Sequence, residues 1–153
     1  MPINARYVHT NLIARNWKRL ARFYQEVFGC EPAPPERHHH GAWLERLTGL
    51  PGAELRGLHL RLPGYAEGGP TLEIFEYVPS LEGSEPAINQ PGFAHLAFAV
   101  DDVPAARRAV LAAGGRDLGE VVRHTIPGAG EITLVYMRDP EGNLLELQQW
   151  GAG

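Results

Sequence analysis

The sequence has little of several features, and each shortage limits what the protein can be. It contains one cysteine, Cys30, among 153 residues, which excludes an intrachain disulfide and a cysteine-based metal site. No apolar run approaches the roughly 18 residues that a membrane-spanning helix needs. The residues after Met1–Tyr7 do not form the apolar segment of a secretory signal peptide. We therefore expect a cytoplasmic protein.

The chain also lacks a strong excess of charge of either sign. Its 14 Lys and Arg residues against 18 Asp and Glu residues give a formal net charge of −4. Such a chain offers no electrostatic attraction to phosphate backbones or anionic lipids, so we expect neither nucleic acid nor a membrane as a partner. The 44% of hydrophobic residues is ordinary for a globular domain that buries a core.

An internal repeat organises the sequence. Tyr7–Cys30 aligns with Phe93–Arg116 without a gap, and both segments read as an apolar strand followed by an amphipathic helix. Near the end of each half, Thr71–Phe75 aligns with Leu144–Gln148, which read as strands. Each half therefore reads as a strand, a helix and two or three further strands, which predicts an α+β fold.

The two halves differ in length, and the difference sets the predicted boundaries. We expect one domain over residues 1–153, with a first module at 1–79, a linker at 80–92 and a second module at 93–153. The first module carries an insertion around 33–70. Within it the triplet His38–His40 is predicted to lie in a loop, and Ala42–Leu50 reads as a helix. Asp139–Asn143 is a strong turn signal that predicts a hairpin.

Four polar residues stand between apolar neighbours on the best strands: His9, Glu73, His95 and Glu146. Strand side chains alternate between faces, so each of these points away from its apolar neighbours. A sheltered carboxylate is costly unless it is paired or bound to a metal, and two imidazoles with two carboxylates suit a divalent cation. A single strand histidine is more often structural, but repetition at equivalent positions favours a site. His59, between Leu58 and Leu60, is a further candidate to face the same cavity.

Four sequence blocks stand out in the duplicated unit: Tyr7–Thr10, Thr71–Phe75, Gly92–Asp102 and Asp139–Leu147. The unit and these blocks resemble the vicinal oxygen chelate superfamily, which includes glyoxalase I, methylmalonyl-CoA epimerase, extradiol dioxygenases, and fosfomycin- and bleomycin-resistance proteins. The resemblance implies two βαβββ modules that form an eight-stranded open cup (half-barrel), with helices on its outer face, around a divalent metal. It also implies a homodimer. On this resemblance His9, Glu73, His95 and Glu146 occupy the four metal-ligand positions.

The His, Glu, His, Glu set is most similar to that of glyoxalase I. It implies an enzyme with one divalent ion (Ni, Co, Zn, Mn or Fe) that acts on a small molecule as an isomerase, lyase or epimerase. Glu73 or Glu146 would abstract a proton next to a carbonyl through a metal-bound enediolate. Two glutathione-binding positions of glyoxalase I correspond here to Ile13 and Tyr77, so the resemblance does not identify the substrate.

Strand parity and position predict the side chains that shape the substrate pocket: Asn11, Phe75, Tyr77, Tyr136, Gln148 and Trp150. Two alternative functions stay open. One is a metal-poor ligand-binding or antibiotic-sequestering protein of the bleomycin-resistance type. The other is an Fe(II) extradiol dioxygenase that uses His9, His95 and Glu146, although Glu73 would then fill a position that substrate and oxygen need.

Overall fold

The structure is a computed structural model that describes residues 1–151, and its internal contacts divide the chain into Met1–Glu82 (unit 1) and Gly83–Gly153 (unit 2). The predicted second module includes Ala152 and Gly153, which lie outside the described residues. No helix within residues 1–151 is long and apolar enough to span a membrane. Unit 1 contains β1 (His9–Ile13), α1 (Trp17–Phe28), β2 (Glu31–His40), α2 (Ala42–Thr48), β3 (Glu54–Arg61) and β4 (Thr71–Val78). Unit 2 contains β5 (His95–Ala99), α3 (Val103–Ala112), β6 (Arg116–Asp117), β7 (Val122–Ile126), β8 (Gly130–Arg138) and β9 (Leu144–Trp150).

The sheet of unit 1 has the strand order β1-β4-β3-β2. β1 is parallel to β4, whereas β3 is antiparallel to both β4 and β2. Helix α1 packs against β3 and β4, where Leu72 and Ile74 are fully buried. The backbone N–H of Trp17, at the start of α1, donates to Glu76 Oε2 at 3.2 Å. The even-numbered residues of β4 therefore face α1, and the odd-numbered residues lie on the opposite face, which we call the site face of unit 1.

Helix α1 forms where the sequence predicted it. Asn16 caps its start, because the side-chain oxygen accepts from the N–H of Arg19 at 3.0 Å. Gly29 ends it with φ 68°, a left-handed conformation that glycine adopts without a steric penalty. Trp17, Leu20 and Tyr24 recur at helical spacing and are buried, so one apolar stripe holds the helix on the sheet.

The prediction of a loop at His38–His40 is wrong, because these residues end strand β2. β2 pairs antiparallel with β3, and its register shifts between Ala33 and Arg37, around Pro34 and Pro35. The proline-rich composition argued against a strand. However, β2 lies at the edge of the sheet, where a residue without an N–H is tolerated.

Helix α2 was expected from the sequence, and its position adds a feature to the predicted cup. Leu44 of α2 packs with Leu55 and Phe75, and Tyr77 lies against the same cluster. Leu55, Phe75 and Tyr77 all lie on the site face. Whereas α1 lies on the outer face as predicted, α2 therefore covers part of the site face itself.

Unit 2 repeats the arrangement with a sheet of order β5-β9-β8-β6, in which β7 also pairs with β8. β5 is parallel to β9, and β8 is antiparallel to β9. The predicted hairpin is present: the N–H of Asp139 donates to the carbonyl of Asn143, and the Asp139 carboxylate accepts from two backbone N–H groups of the turn. Helix α3 contacts β8 and β9, where Leu145 and Leu147 are fully buried.

Nine strands occur within residues 1–151, one more than the eight of the predicted half-barrel. The difference arises in unit 2, where β6 and β7 both pair antiparallel with β8. β6 pairs with residues 137–138 of β8, and β7 pairs with residues 130–134. These two short strands share one position beside β8. The α+β fold of two strand–helix–strand modules is otherwise as predicted.

Candidate metal centre and substrate pocket

The register of unit 1 places three predicted site residues next to one another. His9 lies opposite Thr71, and Asn11 lies opposite Glu73. His9 and Glu73 are therefore diagonal neighbours on the site face, and the distance from His9 Nε2 to Glu73 Oε1 is 3.6 Å. Asn11 Nδ2 donates to the same oxygen at 2.9 Å. Only 13% of the Glu73 side chain is exposed, so this carboxylate is sheltered as the sequence indicated.

His59 joins this group, although the predicted ligand set does not include it. It lies directly opposite Glu73 across the β3–β4 pair, and its Nε2 is 2.6 Å from Glu73 Oε2. Its Nδ1 is 2.8 Å from Thr71 Oγ1. Burial lowers the pKa of His59, and the Glu73 carboxylate opposes this shift. The alternation of Leu58, His59 and Leu60 indicated on which face of the sheet the His59 side chain lies. Its contact with Glu73, however, depends on the β3–β4 register.

His9, His59 and Glu73 together fit a divalent transition metal. Each offers one ligand atom, and these three atoms lie within 4.8 Å of one another. Neutral imidazole and carboxylate are donors that such ions accept. The donors come from three adjacent strands, β1, β3 and β4, whose backbone hydrogen bonds fix their spacing.

Unit 2 repeats the imidazole–carboxylate pair in the same register. His95 lies opposite Leu144, two residues before Glu146, as His9 lies opposite Thr71, two residues before Glu73. His95 Nε2 is 2.9 Å from Glu146 Oε2, and the Glu146 side chain is 11% exposed. The two halves thus share both the residue types and the strand register that places each imidazole beside its carboxylate.

Three of the predicted pocket residues surround Glu146. Tyr136 lies opposite it on β8, with its ring 5.0 Å from the ring of His95. Burial and the Glu146 carboxylate raise the pKa of Tyr136, so the phenol stays protonated at neutral pH. Gln148 Nε2 donates to Glu146 Oε1 at 3.0 Å, and Trp150 Nε1 donates to Gln148 Oε1 at 2.6 Å. This chain of hydrogen bonds orients the carboxylate.

The other three predicted pocket residues, Asn11, Phe75 and Tyr77, line a cavity of about 380 Å³ within unit 1. Glu73 lies in its wall together with residues of α2, including Trp43 and Leu47. Within the described residues 1–151, no lysine or arginine lines this cavity. Its lining is mixed, because aromatic and aliphatic side chains lie beside polar ones, and α2 forms one side of it. The polar lining residues are Asn11, His39, Thr48 and Glu73.

The histidine triplet divides between the two faces of the sheet. His39 pairs with Leu55 on the site face, packs its ring against Trp43 and lines the cavity. His38 pairs with Arg56 on the opposite face, where its Nε2 is 2.6 Å from Glu54 Oε1. This contact lowers the pKa of Glu54. His38 therefore lies on the face opposite His9, His59 and Glu73.

Comparison with known proteins agrees with this arrangement. A family model described as a glyoxalase-like domain matches residues 9–148, which include both imidazole–carboxylate pairs. The chain belongs to the glyoxalase-like domain family. The resemblance to the vicinal oxygen chelate superfamily is thus confirmed.

Individual relatives extend over nearly the whole of this glyoxalase-like chain. A probable lactoylglutathione lyase from Vibrio parahaemolyticus is 27% identical over 147 residues, which cover 95% of this chain and 91% of that protein. A glyoxalase family protein from Bacillus cereus has a similar structure, with a TM-score of 0.83 at 19% identity, covering 99% of this chain and 97% of that one. A mutant of the fosfomycin resistance protein FosX from Listeria monocytogenes, complexed with Mn(II) and 1S,2S-dihydroxypropylphosphonic acid, matches with a TM-score of 0.56 at 15% identity and covers 97% and 95% of the two chains. The two structural matches support the predicted fold.

Proposed function

We propose that this protein is a divalent-metal-dependent enzyme of the glyoxalase I type, which removes a proton from the carbon next to a carbonyl group of a small molecule. The observation that carries the proposal is the repeated pair of imidazole and carboxylate, His9 with Glu73 and His95 with Glu146, at the same register in both units. We propose these four residues as the metal ligands. The reaction is that of an isomerase, lyase or epimerase.

The side chains of the site have distinct tasks in this reaction. When bound, the divalent ion (Ni, Co, Zn, Mn or Fe) acts as a Lewis acid and makes the C–H next to the carbonyl more acidic. Glu73 or Glu146 takes the proton and returns it to the same or the neighbouring carbon. Asn11 donates to Glu73 Oε1 and Gln148 donates to Glu146 Oε1, so an amide fixes one oxygen of each carboxylate. The other oxygen faces an imidazole, His59 for Glu73 and His95 for Glu146.

The groove of unit 1 favours a substrate with an apolar or aromatic skeleton. Phe75, Tyr77, Trp43 and Leu47 offer rings and aliphatic carbon next to Glu73. We therefore propose a small carbonyl compound with adjacent oxygens as the substrate.

The test is proton exchange and turnover in the reconstituted enzyme. Protein purified without a nickel resin is stripped with a chelator and reloaded separately with Ni²⁺, Co²⁺, Zn²⁺, Mn²⁺ or Fe²⁺. Phenylglyoxal, methylglyoxal and the hemithioacetal of methylglyoxal with glutathione are then incubated in D₂O and followed by proton NMR. We expect metal-dependent conversion of phenylglyoxal, with deuterium incorporated at the product carbon if the abstracted proton exchanges with solvent.

Two variants and a matched control make the assignment specific. Glu73→Gln and Glu146→Gln are each expected to slow conversion by about 100-fold or more, because one of the two carboxylates is the general base and both are proposed metal ligands. Glu54→Gln is the control, because Glu54 pairs with His38 on the opposite face of the sheet. Conversion at the same rate in stripped and reloaded protein would exclude the proposed chemistry. If the protein binds phenylglyoxal but does not convert it, either stripped or loaded with metal, the result would instead support a ligand-binding function.

We also propose that the protein acts as a homodimer, which the superfamily resemblance implies. Light scattering coupled to size-exclusion chromatography measures the mass directly. A mass of about twice 16.8 kDa is expected at micromolar concentration. A mass of one chain at every concentration would contradict this part of the proposal.

A further inference from the structure

His59 lies where a third donor of unit 1 would bind the metal ion. Its Nε2 is 2.6 Å from Glu73 Oε2, and its ring is 5.4 Å from the ring of His9, edge to face. The His59 side chain is 17% exposed. Two imidazoles and a carboxylate thus meet on one face of one sheet.

Thr71 holds the His59 ring from the opposite side. Its hydroxyl lies 2.8 Å from Nδ1, and a hydroxyl can both donate and accept a hydrogen bond. When Nδ1 carries the proton and donates it to Thr71 Oγ1, the lone pair of Nε2 is directed toward Glu73 and His9. Metal-binding histidines usually donate their second ring N–H to an oxygen in this way.

Glu73 is supported independently of His59. Asn11 Nδ2 donates to Glu73 Oε1, whereas His59 approaches Oε2. The carboxylate therefore keeps a hydrogen-bond donor if Nε2 binds a metal ion instead.

We propose that His59 is a metal ligand, so that His9, His59 and Glu73 bind a divalent transition ion on the site face of unit 1. The proposal rests on the proposed function for the roles of His9 and Glu73, and it adds a donor to the four-residue set. Two imidazoles of unit 1 would then hold the ion while Glu73 takes a proton from the substrate.

Cobalt binding tests this assignment without any substrate. The full-length protein, stripped of metal, is titrated with Co²⁺ and followed by visible absorption and calorimetry. His59→Ala is expected to weaken Co²⁺ binding by about 100-fold and to change the cobalt absorption bands. His38→Ala is the matched control, because His38 has the same 2.6 Å contact with a carboxylate on the opposite sheet face, and it is expected to bind as the unchanged protein does.

Thr71 provides a second variant that keeps the imidazole in place. Thr71→Val removes the acceptor for Nδ1–H and is expected to weaken Co²⁺ binding by about 10-fold, whereas Thr71→Ser retains it. Proton NMR of the cobalt protein gives a further readout, since each bound imidazole contributes a shifted, exchangeable ring N–H signal. The His59→Ala spectrum should lack one such signal.

The possible failures are distinguishable. If His59→Ala binds Co²⁺ as tightly as the unchanged protein while His9→Ala and Glu73→Gln do not, His59 is only a hydrogen-bond partner of Glu73 and the inference is wrong. If the unchanged protein does not bind Co²⁺ at all, both this inference and the proposed function fail. If His59→Ala loses Co²⁺ but the loaded enzyme converts no carbonyl compound, the ligand assignment stands and the proposed reaction is wrong. Circular dichroism of each variant confirms that it is folded.

Discussion

Gln148 donates its side-chain amide to Glu146 Oε1 at 3.0 Å, and both residues lie on the same face of β9. The Gln148 carbonyl oxygen accepts in turn from the indole N–H of Trp150 at 2.6 Å. Because Gln148 is held at both ends of its amide, it fixes the direction of one of the two carboxylates to which we assign metal binding and catalysis.

Replacement of this amide should weaken metal binding. Gln148→Leu keeps the size of the side chain but removes the donor to Glu146, and we expect Co²⁺ affinity to fall by about 10-fold. Gln149→Leu is the matched control, because Gln149 points to the other face of β9. Calorimetric titration measures both variants. Equal affinity in the two would mean that Gln148 does not orient Glu146.

The attachment of helix α2 to the sheet should depend on one buried leucine. Leu44 is 2% exposed and packs with Ala53, Leu55 and Phe75, so Leu44→Ala should lower the free energy of unfolding by about 2–5 kcal/mol or release α2 from the sheet. Leu47 is 74% exposed on the same helix, and Leu47→Ala should change stability by less than about 0.5 kcal/mol.

Urea denaturation and hydrogen exchange together measure this pair. Local release of α2 would appear as fast exchange of its amides in Leu44→Ala, without a matching loss of global stability. A Leu44→Ala protein with unchanged stability and slow exchange throughout α2 would contradict the packing described for the site face.

A side chain at Gly57 should disrupt the β3–β4 pair. A Cβ atom at Gly57 would lie 1.9 Å from the carbonyl oxygen of Ile74 and 2.7 Å from Phe75 Cδ1, so the backbone itself must move. Gly57→Ala should lower the free energy of unfolding by about 3 kcal/mol. At Gly119 nothing lies within 4 Å of such an atom, and Gly119→Ala serves as the control. Similar denaturation midpoints for the two variants would rule out the close approach.

Cys30 should make stability fall at high pH. It is 3% exposed, and burial raises the pKa of its thiol to about 11 from 9.0. The unfolded chain therefore loses this proton first, so the contribution of the buried thiol is complete below pH 9 and is lost as pH rises toward 11. At pH 11 the resulting loss in the free energy of unfolding is about 2 kcal/mol.

Thermal melts of the unchanged protein and Cys30→Ala between pH 8 and pH 11 measure this contribution. The difference in melting temperature between the two should shrink as pH rises through the window. The native thiol should also react slowly with thiol reagents at pH 8, because very little thiolate is present. A reaction as fast as that of the unfolded chain would show that Cys30 is accessible.

The sequence by itself determined the repeat, the α+β fold and the strand faces. The alternation around Glu73 and Glu146 predicted that both carboxylates leave the apolar layer, and both are sheltered on the face opposite the buried leucines. Asn16 and Gly29 likewise mark the ends of α1 in the sequence. These features depend on local periodicity and capping, which neighbouring residues carry.

Tertiary pairing decided what local patterns could not specify. β2 is a strand despite its prolines because it lies at the edge of the sheet beside β3. His59 joins Glu73 only because the β3–β4 register places the two side chains opposite each other. A shift of one residue would turn His59 to the other face. Alternation in the sequence fixes the face of a side chain, whereas long-range hydrogen bonds between strands choose its partner.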